Sequence, residues 1–154
     1  MVRAPRLALA GELHLLLQRG HNRQPVFVDE RDREAYLAML REAAVQYGVA
    51  IHAYALLDAD VHLLATPGAA GSLSRLMQSL GRRYVAAFNR RHGRSGTLWA
   101  GRFRAGLIDG AALGVDALVY VETLPVTAGL VGAAGEWPWS SAAHHLGRRR
   151  DPLI

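Results

Sequence analysis

The chain has 154 residues and no cysteine, which excludes disulfides and thiolate metal sites. It has no lysine either: all 18 basic residues are arginine. An alanine- and glycine-rich sequence of the kind a GC-rich gene encodes accounts for that choice of residue, but not for where the charge sits. No uncharged apolar run approaches the roughly 20 residues that a bilayer requires. Near the start, Glu12 and His14 interrupt the apolar stretch before it reaches the length of a secretory signal. A cytoplasmic protein with no membrane contact is the expectation. Repeats, linkers and low-complexity tracts are also lacking, so residues 1–154 read as a single domain, long enough for a substantial core.

The most informative absence is of acid. From Val61 to Ile108 there is no Asp or Glu, while the same interval holds Arg75, Arg82, Arg83, Arg90, Arg91, Arg94, Arg102 and Arg104. The whole chain carries a formal charge of only +5, so this one segment concentrates a basic surface. Phosphate is the commonest partner of such a surface.

Periodicity gives the elements. Residues 12–19, "ELHLLLQR", read as a strand, and 20–29 as a polar loop. Residues 29–48 read as a helix that Asp29 caps and Gly48 ends, with Tyr36, Leu37, Leu40 and Ala44 at helical spacing. Two strands follow at 49–57 and 60–66, joined around Asp58 and Ala59. In the helix at 71–93, Leu73, Leu76, Leu80, Tyr84 and Ala87 form an apolar stripe opposite Arg75, Arg82, Arg83 and Arg90. That basic face has no acid in its own segment, which favours anion binding over a solvated ion-pair face. Residues 98–108 read as strand or extended, and 110–124 as a helix with Leu113, Ala117, Tyr120, Val121 and Leu124 on one side, ended by Pro125. "EWPWSSAAHHLG" reads as an aromatic clamp with a final helical turn. This order implies an α+β fold with a mostly antiparallel sheet.

Chemistry concentrates in "LLDADVHLLAT", residues 56–66. Alternate residues of a strand share a face, so Asp58, Asp60 and His62 are expected in one row. Asp60 and His62 would converge on one ion, and a carboxylate with an imidazole suits Mg2+ or Mn2+, with water and substrate phosphate completing the shell. Tyr120, on an apolar helix face, reads from spacing alone as a packed ring with its hydroxyl at the rim. A tyrosine can also be a nucleophile towards phosphodiesters when a metal polarises the phosphate. Ser140, Ser141, His144 and His145 are too local for a hydrolase triad, and "GAAG" lacks the lysine of a phosphate loop.

The order of these pieces resembles the single-tyrosine HUH transposases of the insertion-sequence-200-like type, most of all the REP-associated tyrosine transposases. "QRGHNRQPVF" (18–27) is similar to the family's "RGNNRQ.IF", and "HAYALLDADVHLLATP" (52–67) to "HAYCLMPNHVHLLV". "AFNRRHGRSGTLWAGRF" (87–103) resembles its arginine-rich turn and strand, "YVETLPVTAGLV" (120–131) its "YIELNPVRAGLV", and "WPWSS" (137–141) its tryptophan clamp. The resemblance implies a ferredoxin-like antiparallel sheet with helices packed on it. It also implies a metal held by a His-x-His pair and a helix-borne tyrosine that attacks single-stranded or hairpin DNA, leaving a 5′ phosphotyrosine and a free 3′ hydroxyl. Carried over, the second histidine is His62, the tyrosine is Tyr120, and Asp60 stands where the first histidine would be. Leu124 stands where relatives place a polar residue that completes the metal site. The DNA-binding side chains are expected to be Arg19, Arg23, Arg75, Arg82, Arg83, Arg90, Arg102 and Arg104. Relatives include monomers and homodimers. Two readings follow: an active, metal-dependent transposase, with Asp58 making up part of what Leu124 lacks, or a degenerate derivative that binds DNA without cutting it. A third, in which the arginines meet protein acids, fits the basic run least.

Overall fold

In the computed structural model, which describes residues 8–154, four strands form one antiparallel sheet. They are β1 (Leu13–Arg19), β2 (Val49–Leu56), β3 (Asp60–Pro67) and β4 (Arg104–Ile108), in the order β2-β3-β1-β4. Two long helices, α1 (Glu30–Tyr47) and α2 (Ser72–His92), connect β1 to β2 and β3 to β4. This is the ferredoxin-like arrangement expected above. A third helix, α3 (Ala111–Thr127), and a single turn, α4 (Ala142–His145), follow.

Local chemistry explains the helix ends. Asp29 accepts a bond from the Asp32 amide at the start of α1, and Gly48 closes it in the left-handed conformation at φ 65° that glycine adopts without steric cost. Strand alternation then divides the core. Leu16, Ile51, Tyr54, Leu56, Val61, Leu63 and Ala65 face α1 and α2, where Leu40, Leu76, Leu80, Tyr84 and Phe88 meet them. Ala53, Ala55 and Leu64 face the other way, onto Ala117 and Val121 of α3. A bulge between Ile51 and Ala53 lets β2 keep both patterns, with His52 as the extra residue. Thus α1 and α2 form one layer, the sheet a second and α3 a third.

Four details depart from the sequence reading. Phe88, not Ala87, closes the buried stripe of α2. Of residues 98–108 only Arg104–Ile108 is strand; Trp99 meets Gly20 as an isolated bridge. Pro125 lies inside α3 rather than after it, since at the last turn its missing N–H costs one bond while Leu124 still accepts from Ala128. The buried side of α3 is also narrower than expected: Leu113 and Tyr120 are exposed, because the small Ala53 and Ala55 offer little surface to cover. The clamp sequence covers the open edge of β2: Leu56 donates to the Trp139 carbonyl, Ser141 to that of Tyr54, and the Trp137 indole to that of Leu56. No helix among the described residues is long and apolar enough to cross a membrane.

The two long helices are cross-tied at their ends by Asp32, which is buried and accepts from the Val28 amide, Arg91 and His92. Burial alone would raise its carboxyl, but these three partners outweigh that and hold it below the usual carboxylate range. A depressed carboxyl adds stability above its unfolded pKa of about 4 and loses it as pH falls through the folded value. Asp32→Ala is therefore expected to lower unfolding free energy in urea at pH 7 by about 1–3 kcal/mol. The gap from the parent protein should narrow as the pH is taken below about 4.

Candidate functional site

The parity of β3 sets the site. Val61, Leu63 and Ala65 sit in the main core, so Asp60, His62 and Leu64 project towards the α3 layer. His62 is buried at 4% exposure, and its Nε2 lies 2.9 Å from Asp60 Oδ2. That spacing is a hydrogen bond. It is also about the edge length, roughly 2.9 Å, of an octahedral shell with ligands at 2.0–2.1 Å. The pair fits a hard ion that keeps most of its shell as water and phosphate oxygens, since one carboxylate oxygen and one imidazole nitrogen are available. Among the described residues no group of three or more His, Cys, Asp or Glu side chains is placed to hold a metal ion. Leu124, half-buried one turn beyond Tyr120, supplies no donor.

Asp58 does not join the row. The strand begins only at Asp60, and the turn before it directs the Asp58 carboxylate to Arg33 of α1, at 2.5 Å, in the opposite layer. It therefore cannot compensate for Leu124.

Tyr120 stands edge-on to His62, with ring centroids 6.3 Å apart and planes at 77°. The ring is 50% exposed rather than packed away. Nucleophile candidate and ligand pair thus belong to one chain and face one another.

The expected arginines separate into two groups. Directly cross-strand residues share a face. Arg19 pairs with Asp60, and Leu17 pairs with His62 on one side and Arg104 on the other, so Arg19 and Arg104 emerge beside the Asp60–His62 pair. Arg23 joins Arg19, Ala59 and Asp60 around a recess of about 260 Å³. By contrast Arg75, Arg82 and Arg90 are exposed on α2, in the layer across the sheet from His62. Arg102 lines a recess of about 450 Å³ on that other side, with Gln18, Gln78 and Phe103. None of these guanidinium groups has an acidic or hydrogen-bonded partner among the described residues. Arg83 does: Glu42 of α1 lies 2.6 Å from it, so the basic face expected to lack acid receives one from the neighbouring helix. Arg91 and Arg94 are likewise committed, to Asp29 and Asp32 and to Asn89 and Gln24.

The region 11–123 matches the family model described as "Transposase IS200 like". The chain belongs to the IS200-like transposase family. No curated protein matches the sequence. Among solved structures, a REP-associated tyrosine transposase bound to a REP hairpin is similar over 99% of this chain and 90% of its own, at 18% identity and a TM-score of 0.67. A putative transposase from Deinococcus radiodurans R1 is similar over 79% of this chain and 97% of its own, at 23% identity and a TM-score of 0.53.

Sequence reasoning missed Glu122, a buried acid on α3 that binds Ser141 and His145. A lone carboxylate on an otherwise apolar helix face was the available signal.

The loop that presents Arg23 is held in an uncommon conformation: Asn22 and Arg23 have φ of 53° and 55°. Left-handed non-glycine residues store about 1 kcal/mol or more. Arg23→Gly is expected to leave the urea midpoint unchanged or slightly higher, whereas the β-branched Arg23→Val loses about 1–2 kcal/mol. Equal losses for both variants would show that the guanidinium, not the backbone, sets stability there.

Proposed function

We propose that the protein cleaves and rejoins single-stranded DNA next to a hairpin, with Tyr120 as nucleophile and Asp60 and His62 as ligands of Mg2+ or Mn2+. The observation that carries this reading is the half-exposed Tyr120 ring standing 6.3 Å from the His62 ring of its own chain. The similarity to a transposase bound to a REP hairpin supports the choice of DNA. So do the unpartnered arginines.

In the step itself, the Tyr120 oxygen forms a bond to phosphorus as the bond from phosphorus to the 3′ oxygen breaks. The phenolic proton leaves the tyrosine, and a proton is taken up by the departing 3′ oxygen. The products are a 5′ phosphotyrosine and a 3′ hydroxyl. A bound divalent ion would polarise the phosphate and offset charge building on its oxygens. Arg19, Arg23 and Arg104 hold the phosphates on either side of the scissile one, and their charge opposes the repulsion between Asp60 and the incoming backbone. Arg75, Arg82 and Arg90, with Arg102, meet DNA that continues around the molecule. One copy brings Tyr120 and the Asp60–His62 pair together, whether the protein acts alone or as a homodimer, and the substrate lies in the cytoplasm.

Incubation with hairpin-bearing single strands and Mn2+ is expected to give a covalent adduct, seen as a band resistant to denaturation, that Tyr120→Phe abolishes. An adduct that survives Tyr120→Phe overturns the assignment. A second reading, binding without cutting, is favoured by the two-donor ion site and Leu124. It predicts affinity that falls with salt but no adduct across a panel of hairpins. In both readings Arg19→Ala reduces the slope of log affinity against log salt by about 0.7.

A further inference from the structure

Glu122 lies two residues beyond Tyr120, about 200° around α3, on the side turned away from the tyrosine. It is 9% exposed, and a buried carboxylate is costly unless it is paired. Its Oε2 accepts from Ser141 Oγ and His145 Nδ1, each at 2.5 Å. Ser141 is fully buried and is itself fixed to β2: its amide donates to the Tyr54 carbonyl at 3.1 Å, and its Oγ accepts from the Tyr54 amide at 3.0 Å. The next residue of β2, Ala55, pairs in register with His62. A continuous path of hydrogen bonds thus runs from the helix that bears Tyr120 to the strand beside His62.

The apolar contact between α3 and the sheet cannot set this alignment alone. Ala53, Ala55 and Ala117 are small, Val121 and Leu64 complete the buried patch, and Leu13, Leu15, Ile108 and Leu118 border it only partly buried. Leu113, Val115 and Val119 on the open side of α3 are apolar too, so burial alone distinguishes weakly between this position and one shifted by a residue, about 1.5 Å along and about 100° around the helix. A carboxylate held by two donors tolerates no such shift.

We infer that Glu122 is a positioning residue that fixes the slide and rotation of α3, so that Tyr120 stands over the His62 of its own chain. The inference rests on the proposed attack by Tyr120. Ser141 and His145, unsuited to a hydrolase triad, serve here as the anchor on the carboxylate.

Adduct formation at saturating hairpin DNA, DNA affinity and the nuclear Overhauser contact between the Tyr120 and His62 rings are the readouts. Glu122→Leu is expected to slow adduct formation about tenfold or more, since displacement of a reacting group by about 1 Å can cost a hundredfold. Its affinity for DNA should stay within about twofold of the parent protein, because α3 carries none of the arginines assigned to phosphate. The ring contact disappears. Glu122→Gln, which keeps an acceptor for the Ser141 hydroxyl, restores the contact and most of the rate. Should Glu122→Leu fail to fold, Ser141→Ala replaces it, with a smaller slowing and a weakened ring contact expected. An adduct rate within twofold of the parent, a rate and affinity that fall together, or an undiminished ring contact overturns the inference. If the parent protein forms no adduct, the proposed cleavage fails by itself, and the ring contact in the variants still decides whether Glu122 positions Tyr120.

Discussion

The pairing of β1 with β3 fixes everything around the site. It places Leu17 opposite His62 and Arg19 opposite Asp60, and it settles which side of β3 enters the main core. Because side chains alternate with a period of two, a slip of one residue would send His62 into the aromatic core and Val61 to the α3 side. Burial of Val61, Leu63 and Ala65 against α1 and α2 opposes that slip. The same burial that stabilises the sheet therefore aims the imidazole and the carboxylate away from it. Fold and site share one constraint here.

That constraint separates two kinds of basic residue. Arginines within the three-layer body that have acids or amides in reach hold helices and loops together. Arg91 binds the N-terminus of α1 to the C-terminus of α2, and Arg33 lies between the Phe27 and Trp137 rings while reaching Asp58. Among the described residues, Arg19, Arg23, Arg75, Arg82, Arg90, Arg102 and Arg104 have no such partner and retain their charge for a ligand. Free charge occurs on both sides of the sheet, so a nucleic acid that contacts all of it has to pass around an edge. The edge of β2 is covered by the tryptophan clamp, whereas β4 lies on the other edge and carries Arg104.

The ends of α1 and the C-terminus of α2 were legible because they depend on neighbours in the chain: Asp29, Gly48 and Gly93 cap or end helices by local geometry. The pairing of Asp60 with His62 was legible for the same reason, being two residues apart on one strand. What could not be read were partners brought from afar. Nothing near Asp58 in sequence announces Arg33, and nothing near Arg83 announces Glu42. Nothing in the sequence around Glu122 announces its partners, which lie 19 and 23 residues on, across a turn whose path the sequence does not specify. The placement of the α2 arginines across the sheet from His62 follows from topology, which periodicity within a helix does not encode.

The carboxylate at position 60 alters the electrostatics of the site. A pair of neutral imidazoles leaves a phosphate's charge unopposed. In the proposed reaction Asp60 would add a negative charge where the phosphate approaches, and two like charges about 4 Å apart repel by roughly 1 kcal/mol in water and several times that near a protein surface. Arg19 lies directly across the strands from Asp60, and Arg23 borders the same recess, so positive charge is at hand to offset it. Loss of either arginine should therefore weigh more heavily on phosphate approach here than in a site with two histidines. The exposed α2 arginines, in the other layer, cannot make up for it.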